Sequence, residues 1–152
     1  MKRTVLLIGC IIVLQFALTA KVFSHCQIPC GIYDDKTRFV VLKEDIATIE
    51  KAIKETVKLS GEKEINYNQI VRWINTKEDH ANSIMETAAQ YFLAQRIKLP
   101  EKQGADEKYN KELSALHSII VYAMKTKQSL DINNVTALSK LVEEFEKLYF
   151  PQ

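Results

Sequence analysis

Glycine and proline are scarce in this chain, with four and three among 152 residues. So few chain breaks disfavour a fold of many short strands, and the abundant Lys, Glu, Leu, Ile and Ala favour long helices instead. No glycine-rich phosphate loop, hydrolase nucleophile elbow or zinc-protease motif occurs. Internal repeats, a sustained heptad pattern and low-complexity tracts are also missing. A basic excess is missing too, although the formal charge is +2. Lys2, Arg3 and Lys21 fall in the first 24 residues, which hold no acidic residue. Beyond them the acidic residues outnumber the basic ones by one. That balance gives no electrostatic grip on nucleic acid or on an anionic membrane.

What remains is the composition of an ordinary folded protein, 47% apolar and 26% charged. The length suits one domain with a full core. Residues 1–24 read as a secretion signal. Lys2 and Arg3 supply the charged start, Val5 to Leu18 the apolar run, and Val22-Phe23-Ser24 a cleavage pattern. An uncleaved membrane anchor is the competing reading, but the apolar run falls short of the ~20 residues that cross a bilayer. A lipoprotein box, Leu7-Ile8-Gly9-Cys10, is a second rival; its cysteine lies inside the apolar run rather than at its end. Cleavage after Ser24 is the expectation, with export to the periplasm or the exterior and no membrane attachment afterwards.

From Asp34 to the end the pattern is helical. Leu42, Ile46, Ile49, Ile53 and Val57 recur at spacings of three and four, and Ser60-Gly61 marks a stop. A second stretch from about Asn66 to Leu99 carries Ile70, Trp73, Ile74, Ala81, Ile84, Ala88 and Phe92 on its apolar side, and Pro100 ends it. A third carries Leu113, Leu116, Ile120 and Ala123. The fourth follows the capping residues of 129–134 and carries Val135, Leu138, Leu141, Val142, Phe145 and Leu148. Four amphipathic helices with short connections predict an all-α, antiparallel four-helix bundle over residues 34–152. Trp73 and His117 read as packing or surface residues.

The segment between signal and bundle is different: His25-Cys26-Gln27-Ile28-Pro29-Cys30-Gly31-Ile32-Tyr33. Cys26 and Cys30 could form a disulfide in an exported protein, though so short a loop stabilises little. They could equally hold a metal. Cleavage after Ser24 leaves His25 with an imidazole and a free amine, whose pKa of about 8 lets it offer a lone pair. Cys26 adds a thiolate and a backbone nitrogen, Cys30 a second thiolate, and Pro29 and Gly31 let the chain bend back. Two nitrogens and two sulfurs in a plane with imidazole above suit Ni(II) or Cu(II) better than tetrahedral zinc.

This segment resembles the N-terminal hook of the nickel-containing superoxide dismutases, His-Cys-x-x-Pro-Cys-Gly-x-Tyr, present here as HCQIPCGIY. The rest of the chain is similar to that family in length and in its four helices. The resemblance implies one nickel per subunit, held by the amine and imidazole of His25, the amide nitrogen and sulfur of Cys26 and the sulfur of Cys30. It implies that Tyr33 stands beside the open face of the metal and orders water or superoxide, the substrate. A homohexamer is implied as well. Thiolates and a deprotonated amide would bring the nickel couple into the range that superoxide chemistry needs. A non-catalytic, exported nickel or copper carrier with the same hook is the alternative.

Two departures stand out. Gln27 replaces a common aspartate. Members of the family also steady the axial imidazole with a glutamate on the first helix and an arginine on the second. Here Val40 or Val41 falls at the glutamate position and His80 at the arginine position. His80, or a carboxylate such as Glu78 or Glu44, is therefore the expected replacement, since a metal-bound imidazole needs an orienting partner. Tyr91, next to Phe92, aligns with a Tyr-Phe pair near the family's site.

Overall fold

The computed structural model describes residues 35–100 and 106–150. Among these residues there are four helices and no strands. Helix α1 spans Asp35–Ser60. Helix α2 spans Tyr67–Glu86 and runs directly into a π-helical segment, Thr87–Arg96. Helices α3, Glu107–Gln128, and α4, Ile132–Tyr149, complete the set. The starts of α2, α3 and α4 are each set by a polar side chain that takes a free backbone amide. Asn66 accepts from the Gln69 amide (3.1 Å), Asp106 from Tyr109 (3.0 Å) and Asp131 from Asn133 (3.0 Å). Lysines near the C-termini, such as Lys58 and Lys147, oppose the helix dipoles.

Each helix packs on its sequence neighbour, and α1 also packs on α4, closing the antiparallel ring expected of these patterns. The core is graded along the bundle axis. At the end where α1 begins and α4 finishes, Phe39, Phe92 and Phe145 are fully buried, with ring centroids 5.0–5.5 Å apart. Tyr149 joins them at 5.4 Å from Phe92. These tilted and edge-on contacts add to what the buried area alone supplies. Towards the other end smaller aliphatic residues take over, among them Ile49, Ala52, Ile53, Ala123 and Leu138.

Near that other end sits a buried cation. Lys77 of α2 is 3% exposed and donates from Nζ to the carbonyls of Thr126 (2.7 Å) and Lys127 (2.5 Å). Those carbonyls belong to the last turn of α3, where no further helical amide is available to them. Lys77 thus closes the α3 terminus from a neighbouring helix.

Three details of the expected pattern need correction. Val57 is 53% exposed, because the last turn of α1 offers that face to solvent. Ile70, Trp73 and Ile74 are only half-buried, and Lys51 Nζ lies 5.6 Å from the Trp73 ring centre. The second helix does not continue as an α-helix to Leu99. It changes pitch at Thr87 and ends at Arg96, leaving Leu99 exposed.

Candidate metal centre

His25, Cys26, Cys30 and Tyr33 lie outside the described residues. Asp35, two positions after Tyr33, opens α1, where a carboxylate is favoured by the helix dipole. Three side chains from two elements converge on it. Tyr91 of the π-helical segment donates its phenol to Asp35 Oδ1, and Tyr149 of α4 donates to Oδ2 at 2.7 Å. Arg96, at the end of the π-helical segment, places Nη2 2.9 Å from Oδ1 and 2.9 Å from the Tyr91 oxygen. The guanidiniums of Arg38 and Arg96 lie 4.6 and 5.0 Å from the centre of the Tyr91 ring.

The change of helical pitch makes this convergence possible. In an α-helix residues five apart point about 140° away from each other. In a π-helix the repeating bond joins residues five apart, so they share a face. The Ile97 amide donates to the Phe92 carbonyl at 2.9 Å, and Gln95 Nε2 donates to the Gln90 carbonyl at 2.8 Å. Tyr91 and Arg96 have this same separation and so meet one carboxylate.

The electrostatics favour the charges drawn. Burial pushes the Asp35 carboxyl up, but the Tyr91 and Tyr149 hydrogen bonds and the Arg96 charge outweigh it and hold the group below its ordinary range. Burial, then the hydrogen bond to Asp35 and its charge, push the Tyr149 phenol well above its usual value. Tyr149 is therefore a neutral donor at physiological pH. Hydrogen bonding to Tyr91 keeps Arg96 firmly protonated.

A second polar group lies along the α1–α2 contact. His80 Nδ1 is 2.6 Å from Asp45 Oδ1, and Ser83 donates to Asp45 Oδ2 at 2.8 Å. The Asp45 side chain is 8% exposed and that of His80 37%, so the ring is held from within while part of it reaches the surface. The carboxylate that meets His80 is Asp45. Glu44, one residue away, is exposed. His117 is exposed as well.

Tyr91 and His80, expected near the metal, are thus placed in two separate polar groups, one at the start of α1 and one along the α1–α2 contact. Asp35, Asp45, Arg96 and Tyr149 were not singled out by the sequence. Asp35 had a usable signal: an acidic residue at a helix start, directly after the hook motif. Among the described residues no group of three or more His, Cys, Asp or Glu side chains is arranged to hold a metal. The donors that fit a thiolate-bound metal are His25, Cys26 and Cys30, ahead of α1.

A four-helix bundle whose sequence carries an imidazole and two thiols shortly before its first helix has the make-up of a helical metalloprotein. The comparisons narrow this further: a family model, nickel-containing superoxide dismutase, matches residues 20–152. The chain belongs to that family. It is an oxidoreductase that uses nickel to dismute superoxide. Neither the curated proteins nor the solved structures contain a significant match. Among the described residues no helix is long and apolar enough to cross a membrane.

Proposed function

We infer that dismutation takes place at an N-terminal hook created when residues 1–24 are removed. The supporting observation is the donor order itself: one imidazole and two thiol side chains within six residues, inside the family match and just ahead of α1. One nickel per subunit is held by the amine and imidazole of His25, the amide nitrogen and sulfur of Cys26 and the sulfur of Cys30. Bound nickel supplies a one-electron couple that converts one superoxide to O2 and the next, with two protons, to H2O2.

The protein's own groups prepare that chemistry. The two thiolates and the deprotonated amide of Cys26 concentrate negative charge on the donor set, which favours the higher oxidation state. The amine of His25 loses its proton at modest cost near neutral pH. Tyr33 would limit access to the bound nickel and order water or superoxide beside it. His80, held by Asp45 at 2.6 Å, would orient the His25 imidazole in place of the family's glutamate and arginine. Tyr91, bonded to Asp35 just after the hook in sequence, would support it. The enzyme is exported to the periplasm or beyond and assembles as a homohexamer.

Blocking the amine is a direct test. A precursor altered so that cleavage leaves one alanine before His25 keeps every side chain but replaces the amine with an amide. Loss of stoichiometric nickel and of turnover, with helical content unchanged, is the expected result. Full nickel loading and full turnover would refute the hook.

A further inference from the structure

We propose that Asp35 is a positioning residue for the nickel hook, tying the first turn of α1, which follows the hook in sequence, to the π-helical segment and to α4. The inference rests on the hook reading above and adds a device in the scaffold that aims it.

Three observations support it. First, both Asp35 oxygens are engaged, Oδ1 by Tyr91 and Arg96 and Oδ2 by Tyr149. Helix N-termini ordinarily fray, and here the first residue of α1 is tied to two other parts of the bundle. Second, the arrangement depends on the change from α to π pitch between Thr87 and Arg96, because only that pitch brings Tyr91 and Arg96 onto one face. Such π-helical stretches interrupt the regular hydrogen-bond ladder and occur frequently at functional sites. Third, the chain is short. Two residues span at most about 7 Å and five at most about 18 Å. Tyr33 and Cys30 are two and five residues from Asp35, so the anchor limits where the side chains of the hook can act. Beneath it, Phe39, Phe92, Phe145 and Tyr149 form a packed floor that resists tilting of α1.

Asp35→Asn tests this with little change of shape. It removes the charge that Arg96 faces and replaces one acceptor oxygen with an amide donor directed at a phenol. The expected result is a helical protein with its nickel, an altered nickel EPR spectrum and a kcat lower by roughly 10- to 100-fold, the scale of misplacing reacting groups by about 1 Å. Asp35→Glu should recover part of both signals. Tyr149→Phe, which removes one of the hydrogen bonds, should shift them in the same direction by less, and it serves if Asp35→Asn fails to fold. Lys77→Met, at the other end of the bundle, is the control for general destabilisation and should leave the spectrum unchanged at temperatures where it is folded.

An Asp35→Asn protein with the parent's spectrum and kcat would overturn the proposal. So would a spectral change matched by Lys77→Met at equal loss of stability. Cys26→Ser separates the two levels of the argument: if that variant keeps nickel and spectrum, the hook reading itself has failed, whatever Asp35 does.

Discussion

His80 on α2 and Asp45 on α1 meet across the helix interface, Nδ1 to Oδ1 at 2.6 Å, and Ser83 holds the other carboxylate oxygen. With its Nδ1 side held from within, the ring can present its other nitrogen outward. Asp45→Asn removes the charge and lets the ring turn. The account predicts that nickel content stays near that of the parent while turnover falls about 10-fold, the scale seen when an orienting partner is lost. His80→Ala should fall at least as far. Nickel analysis beside superoxide turnover checks both, and unchanged turnover in both variants would remove this pair from the site.

Lys77 serves stability rather than chemistry. Replacing it with methionine keeps most of the buried stem but leaves the Thr126 and Lys127 carbonyls without their donor. The expected cost is about 2 kcal/mol, the scale for a charge-assisted hydrogen bond lost from a buried acceptor. A urea midpoint shifted downward at constant slope is the observable. The helices themselves should persist.

Phe92 touches Phe39, Tyr91, Phe145 and Tyr149 with its ring. Its replacement by alanine opens a cavity that helices fixed at both ends cannot fill. Destabilisation of about 3–5 kcal/mol is expected, and replacement by leucine should cost less. Because the Tyr91 and Tyr149 rings rest on this residue, Phe92→Ala should also lower turnover at temperatures well below its melting point. Thermal unfolding and activity measured on one preparation compare the two effects.

The Asp35 anchor also has a pH signature. Its folded pKa lies below the ordinary 3.8. The stabilisation it provides is therefore complete above about pH 5 and is lost as the pH falls through the folded value. The stability difference between the parent and Asp35→Asn should hold constant from pH 7 to about pH 5 and shrink below pH 4. Chemical denaturation at several pH values measures it. A difference that grew on acidification would contradict the assigned partners.

How legible these features were in the sequence follows from their range. Leu42, Ile46, Ile49 and Ile53 announce α1 because helical spacing is a local property, and Asp131, among the capping residues of 129–134, announces the start of α4 for the same reason. Phe39 escaped the α1 stripe, although it is fully buried and central to the aromatic end. Val57 fits the stripe by spacing and is exposed, because periodicity cannot show where a partner helix stops. The π pitch of 87–96 left no mark in the composition. Without it, Tyr91 and Arg96 belong to different faces, so their shared carboxylate could not be read. Asp45 and Lys77 look like surface residues until the fold supplies partners 35 to 50 positions away. Family resemblance pointed to His80 as a replacement, and the fold supplied Asp45 as its holder.

The hook carries the whole functional account, and its decisive test is made on the natively exported protein. Intact mass, nickel per subunit and superoxide turnover are measured on the same sample. The account predicts a chain that begins at His25, holds about one nickel per subunit and dismutes superoxide, with nickel and turnover lost together on chelation. A mature chain that begins elsewhere, or one that begins at His25 and dismutes superoxide with Cys26 and Cys30 joined in a disulfide and no nickel present, would contradict it.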